Sequence, residues 1–308
     1  MPLEGSRSGS LEQVADRLMG LNTSIAKLLV RARLHGASFT RTVTIGRQSL
    51  AVPKKDLKAI ARKLGIRDID WSSFAANGFA DDFFRSLLGA ESVQSIDYSD
   101  YERVDIVHDL NMPLAEALHG TFDALVDGGS LEHIFDVKQV LTNYMNLIKV
   151  GGCLFVVTTA NNLCGHGFYQ FSPEFFYRVF GHANGFIVND TILIEYPLLS
   201  VEASRHQRCF RVVDPAKIGR RIELITRKPV LIFLHATRIS NEAPFREMPI
   251  QSDYREKWQS TNIAETVDEI VKPFEYLTAL EEFRGRLRES RENSLANDRF
   301  FEPLKRVI

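Results

Sequence analysis

The stretch FDALVDGGSLEHIFDVKQVLTNYMNLIKVGGCLFVVTTANN, residues 122–162, decides the fold. Its first part, Phe122-Asp-Ala-Leu-Val126, is an apolar run of strand length that closes on Asp127-Gly128-Gly129. A helix predicted over residues 137–148 stops at Gly151-Gly152, which launches a second apolar strand over Cys153–Thr158. Strands that are apolar throughout are covered on both faces, and a helix between two of them is the crossover of a parallel sheet.

Working outward, the same rhythm continues on both sides. Upstream, Arg41-Thr-Val-Thr-Ile45 is a β-branched strand ending at Gly46, and a basic helix is expected over Lys54–Leu64. A helix over Phe79–Leu88 leads through Gly89 to the strand Ser92–Ile96, ending in Asp97, and Val104–Val107 ends in His108-Asp109. Downstream, Ser172-Pro173-Glu174 reads as the N-cap and first turn of a helix. The strands Ile187–Tyr196 and Val230–His235 follow without an obvious helix between them, which predicts an antiparallel edge pair.

The expected class is therefore α/β, a Rossmann-like mostly parallel sheet with an antiparallel edge strand and helical appendages at both termini. Helical spacing from Leu11 to Leu34 gives an N-terminal appendage over residues 1–40. The sheet domain occupies 41–238, and a charged extension over 239–308 contains an amphipathic helix at 265–290.

Composition bounds the function. A formal net charge of -1 over 308 residues argues against a global attraction to nucleic acid or an anionic membrane. The cysteines Cys153, Cys164 and Cys209 are widely spaced and form no CxxC pair, as expected of reduced thiols. The opening MPLEGSRSGSLEQ lacks the basic start and apolar run of a secretory signal, and no apolar stretch approaches the roughly 20 residues that span a bilayer. A cytoplasmic protein is expected.

In open α/β sheets ligands bind outside the carboxyl ends of the strands, where strand order reverses. The candidate binding residues are those that follow strands: Gly46, Arg47 and Gln48; Asp97 and Tyr98; Asp109 and Leu110; and the segment Asp127 to His133, with Asp127 and Gly128 foremost. Asp97, ending the second strand of the first half, is placed to accept hydrogen bonds from ribose hydroxyls or to cap the turn that follows it.

Leu131-Glu132-His133, Gly151-Gly152 and Asn161-Asn162, in this order and spacing, resemble the second half of a class I S-adenosylmethionine-dependent methyltransferase. The continuation GHGFYQFSPEFFYRVFGHANGF, residues 165–186, is similar to that family's loop, helix and entry to the sixth strand. The resemblance spans about residues 41–238 and extends to methyltransferase-like proteins encoded with bacterial surface-glycan enzymes. It departs from the family in its first half. The GxGxG loop is absent, leaving Gly46 as its remnant or, in another alignment, Ala75-Ala76-Asn77-Gly78.

The resemblance implies an S-adenosyl-L-methionine cofactor and methyl transfer to a hydroxyl of a small-molecule or glycan acceptor. His133 is the candidate base, with Glu132 and His166 beside it. In relatives with a Glu-x-x-Glu-His arrangement, a divalent cation lowers the acceptor's pKa. Here Gly129 stands in place of the first Glu, and Asp127 is the substitute to consider. Phe168 to Phe171 is a candidate aromatic wall for the acceptor. Duplex nucleic acid and membrane are not expected partners, and assembly as a homo-oligomer is left open. Two rival classes remain: a non-catalytic binding module on the same fold, and a nicotinamide-dependent oxidoreductase, which would require the missing GxGxxG.

Overall fold

The computed structural model describes residues 20–72, 74, 76–196, 207–255, 294–304 and 307. The helix expected at 265–290 lies outside them.

The short strand β1 (Leu21–Asn22) opens directly into α1 (Thr23–Leu34). Asn22 caps this helix, its side chain accepting from the N–H groups of Ser24 and Ile25, and Arg31 and Arg33 occupy the last turn, where cations suit the helix dipole. Next come β2 (Arg41–Ile45), β3 (Leu50–Ala51) and α2 (Lys54–Lys63). The helix expected over Phe79–Leu88 forms as a π-helical turn, Phe83–Leu87, between short flanks. β4 (Ser92–Asp97), β5 (Ile106–Val107), β6 (Phe122–Asp127), α3 (Val137–Leu147) and β7 (Ile148–Asn161) follow. The remaining elements are α4 (Pro173–Val179), β8 (Phe186–Glu195), β9 (Arg208–Val212), α5 (Pro215–Ile218), β10 (Val230–Arg238) and β11 (Phe301–Pro303).

One nine-stranded sheet has the order β11-β9-β8-β10-β7-β6-β2-β4-β5. The five strands from β7 to β5 are mutually parallel. The expected pair β8 and β10 does form and is antiparallel, but β10 lies between β7 and β8, hydrogen-bonded to both. β9 and β11, which composition did not reveal, carry the antiparallel part out to the edge.

Alternation builds two cores. Leu154, Val156, Ile232 and Leu234 belong to the core on one face, with Tyr144 of α3 and Phe176 of α4. Cys153, Phe155, Val157, Leu231 and Phe233 belong to the core on the other face, with Leu28 and Leu29 of α1. Phe155 is fully buried and stacks on Phe39, so truncating it to Ala would cost about 3–5 kcal/mol. Gly151 and Gly152 lie within β7 rather than before it. They absorb an irregularity in which Phe122 pairs with Ile148 and Ala124 with Cys153. Gly151 has φ +83°, and a Cβ on Gly152 would strike the Asp123 carbonyl.

Chain order runs outward from β2 through β4 to β5, then returns to the other side of β2 for β6 and β7. The switch point lies between β2 and β6. This reversal predicts where a ligand would sit. No helix among the described residues is long and apolar enough to cross a membrane.

Candidate functional site

A cleft of about 290 Å³ opens at that switch point, beyond the carboxyl ends of the parallel strands. Gly46, Asp97, Tyr98, Asp109, Leu110 and His133 border it, so Asp97 and His133 stand on the same end of the sheet.

Each wall has a local cause. Gly46 leaves β2 with φ +68°, and its N–H donates to the Ile96 carbonyl at 2.7 Å, tying the β2 turn to β4. A Cβ there would point into the gap between Ser130 Oγ (3.6 Å) and Asp97 Oδ2 (3.7 Å). Asp97 Oδ1 accepts from the Tyr98 N–H at 2.6 Å. Asp109 Oδ1 accepts from the backbone and side-chain N–H groups of Asn111, which hold its carboxyl below the ordinary range. Behind it, the buried Asn143 amide donates to the carbonyls of Leu110 and Met112, and its oxygen accepts from Leu114 N–H, clamping this loop to α3.

Four sequence candidates turn elsewhere. Arg47 packs over the Phe79 ring at 4.2 Å and donates to the Glu102 carbonyl. Gln48 is buried and folds back, its Nε2 donating to the Ile45 carbonyl at 2.6 Å. Gly128 packs against that Gln48 side chain, with no room for a Cβ. Asp127 is fully buried and braces the loop after β6. Its carboxylate accepts from the N–H groups of Gly129, Ser130 and Leu131 and from the Tyr144 hydroxyl. Burial pushes this carboxyl up, against the pull of those donors. Gly78 does not border the cleft.

Ser130, within the expected segment 127–133, borders the cleft, and so do His108, Asn111 and Ile134, which sequence did not single out. An available signal was Asp109-x-Asn111, the spacing of a side-chain-capped turn. Ser130 Oγ donates to the Ile45 carbonyl at 3.2 Å, joining the loop after β6 to the end of β2.

At the other side of the mouth, a one-turn 3₁₀ helix (Leu131–His133) presents His133 outward and Glu132 inward. Glu132 is fully buried, and its Oε2 accepts from Thr158 Oγ1 at 2.7 Å. Burial, reinforced by the charge of Asp127, pushes its carboxyl up to about 8. The loop after β7 closes onto this turn, with Phe168 N–H donating to the Glu132 carbonyl at 2.8 Å. Gly167 is required there, since a Cβ would sit 2.7 Å from that carbonyl oxygen. The contact brings the His166 ring to 5.0 Å from the His133 ring, edge to face, with His166 Nε2 3.7 Å from Glu132 Oε1. Desolvation and the neighbouring His166 both lower the His133 pKa, which keeps this imidazole neutral near pH 7. Phe135 and Phe168, 70% and 67% exposed, meet edge to face at 5.9 Å beside the two histidines.

Donor atoms of Glu132, His133 and His166 lie within 4.8 Å of one another. Two imidazoles and a carboxylate are a donor set that suits a transition metal. Asp127 is not available as a further ligand, because its oxygens are engaged by the loop it braces.

No family model matches this chain, and no curated protein matches it in sequence. Among solved structures it is similar to a Burkholderia thailandensis 1,6-didemethyltoxoflavin-N1-methyltransferase at 12% identity, over 71% of this chain and 78% of that one, with a TM-score of 0.36. A SAM-dependent methyltransferase of Thermotoga maritima gives 14% identity over 74% and 91%, with a TM-score of 0.38. Likeness at this level carries no assignment of activity, which rests on the site.

Proposed function

We propose that this chain is an S-adenosylmethionine-dependent methyltransferase acting on a hydroxyl of a small polyhydroxylated acceptor, a sugar or glycan unit. One observation carries the reading: two carboxylates at and just beyond the ends of adjacent parallel strands, Asp97 and Asp109, share a switch-point cleft with the imidazole of His133. Asp97 would accept the ribose hydroxyls and Asp109 the exocyclic amine of the base, with Leu110 against its face. Gly46 and Ser130 would border the methionine portion. When bound, the sulfonium supplies an electrophilic methyl group.

The chain's own residues then orient the acceptor and take its proton. His133, neutral and at the mouth, would accept the proton of the acceptor hydroxyl. His166 stands behind it, and Glu132 fixes the turn that presents it. Phe135 and Phe168 would stack on the apolar face of a sugar ring, limiting water at the reacting oxygen.

The first test is calorimetry with S-adenosylmethionine, S-adenosylhomocysteine and NAD. Binding of the first two alone is the expected result. Binding of none would favour a non-catalytic module, and binding of NAD alone an oxidoreductase. A mass-spectrometric screen of neutral glycans for the gain of one CH₂ then identifies acceptors, with His133→Ala as control. Equal activity in that variant removes His133 as the base.

A second reading rests on the convergence of Glu132, His133 and His166. These residues would hold a divalent cation, which supplies Lewis-acid activation of the acceptor hydroxyl. Activity lost in EDTA and restored by a divalent ion supports this second reading. Full activity in chelator leaves the first alone.

A further inference from the structure

A second cleft, of about 870 Å³, lies at the opposite end of the sheet and shares no lining residue with the first. Its centre is a bulge. Along the β8–β10 pairing His235 faces Asp190 and Ala236 faces Val188, so Asn189 is an extra residue on β8. Such insertions re-aim side chains and are over-represented beside functional sites. Here Asp190 accepts from two guanidinium groups, Arg31 Nη1 from the end of α1 and Arg211 Nε from β9, each at 2.8 Å. Thr237 Oγ1 donates to the Asn189 side-chain oxygen at 2.7 Å.

Beside this cluster His235 is only 8% exposed, its ring stacked on Phe155 at 4.6 Å. Its Nε2 has no hydrogen-bond partner among the described residues. Buried polar atoms are rarely left so, and one bordering a cleft marks a place for a ligand group. The charges that line the cleft cancel: Arg31, Arg211 and Lys217 against Asp190, Asp214 and Glu302. An ion entering would find the central counter-charges already engaged. A neutral molecule with several hydroxyls can donate to the carboxylates and accept from the guanidinium N–H groups at once.

We propose that this cleft is a second ligand site, taking a neutral polyhydroxylated molecule of one or two sugar rings, with His235 Nε2, Asp190 and Arg31 as its polar partners. Methyl transfer does not enter this inference.

The test uses the full chain labelled with ¹³C-histidine and titrated with glucose, galactose and mannose, sodium sulfate serving as the ionic probe. The His235 resonance is identified by its loss in His235→Gln. A saturable shift of that resonance by at least one sugar and none by sulfate is expected. Asp190→Asn and Ile187→Trp should each weaken the sugar by about tenfold or more, with S-adenosylhomocysteine affinity unchanged. Ile187 is an exposed strand position lining the cleft, so its Trp variant folds even if Asp190→Asn does not. The proposal is overturned if no sugar shifts His235, if sulfate alone does, or if Ile187→Trp binds sugar like the wild type. Failure of S-adenosylhomocysteine to bind would instead overturn the transferase reading and leave this one standing.

Discussion

Removing the Asp127 carboxylate tests whether this residue is a brace or a ligand. It collects four donors: the N–H groups of Gly129 (3.0 Å), Ser130 (2.7 Å) and Leu131 (3.1 Å), and the Tyr144 hydroxyl (2.9 Å). In Asp127→Ala the Leu131 N–H and the Tyr144 hydroxyl would stay buried without that acceptor, at about 1–3 kcal/mol each. The Gly129 and Ser130 groups are partly exposed and can turn to water, so they add less. Against this, the cost of burying the carboxyl itself is relieved. The net expectation is a loss of about 3 kcal/mol, a large share of a typical domain's 5–15 kcal/mol. Asp127→Asn keeps an acceptor oxygen but turns an amide donor toward other donors, and should lose roughly half as much. Urea unfolding followed by circular dichroism gives both numbers, and calorimetry with S-adenosylhomocysteine, run well below each transition, gives the functional cost. Stability should fall in the order wild type, Asn, Ala, with affinity falling in step as the loop bearing Ser130 and His133 loosens. An Ala variant within about 0.5 kcal/mol of wild type would refute the brace. A stable variant that no longer binds would make Asp127 a direct contact instead.

Three further outcomes are expected. Asp97→Ala should leave the fold intact, because the side chain ends a strand at the cleft edge. It should weaken S-adenosylhomocysteine by about 100-fold, the worth of two charge-assisted hydrogen bonds, read by calorimetry. Gly167→Ala should lower turnover more than cofactor affinity, since its Cβ would push the His166 loop off the Glu132 carbonyl, and comparing kcat with the dissociation constant checks this. Burial holds His235 down from 6.5 to about 4, so the unfolded chain takes up this proton first. The stabilisation is complete above pH 6.5 and is lost as pH falls towards 4, about 3 kcal/mol in all at roughly 1.4 kcal/mol per pH unit. Urea midpoints measured between pH 4 and 7 should therefore fall more steeply for wild type than for His235→Gln.

Much of this was legible in the chain because parallel strands announce themselves. β6 is buried at all six positions and β2 at four of five, which forces the uninterrupted apolar and β-branched runs that sequence reading detects. β9 and β11 were not legible. β9 is buried at Cys209, Phe210 and Val212 and β11 at Phe301 alone, an irregular pattern over five and three positions from which no period can emerge. The place of β10 was hidden for another reason: its partners β7 and β8 are fixed by packing across the sheet, not by neighbours in sequence. The same distinction divides the site. Asp97, Asp109 and Asp127 each sit at or just after a strand, yet only the first two border the cleft. After β6 the chain turns at once into a 3₁₀ helix whose leading N–H groups need an acceptor, and Asp127 supplies it. Gln48 is diverted by a similar local demand, the Ile45 carbonyl.

The missing glycine-rich loop has a structural answer in where the chain's other glycines fall. Several glycines in succession give a loop positive φ and let backbone approach a ligand. Here Gly46 and Gly129 supply positive φ at the cleft, and behind it two glycines that do not border it pack backbone against backbone. Gly20, just before β1, donates its N–H to the Gly128 carbonyl, and its Cα stands 3.5 Å from where a Cβ on Gly128 would be. The Gln48 side chain fills the space beneath them. Three chain segments thus meet through glycine where one loop would ordinarily carry the motif. It follows that Gly128→Ala should disturb the site through Gln48 rather than through lost backbone freedom. Pairing it with Gln48→Ala, which vacates the clashing side chain, should restore S-adenosylhomocysteine affinity in a double-mutant cycle. If the double variant binds no better than Gly128→Ala alone, the glycines are not substituting for one another and the loop's departure from the family pattern marks a loss of cofactor binding.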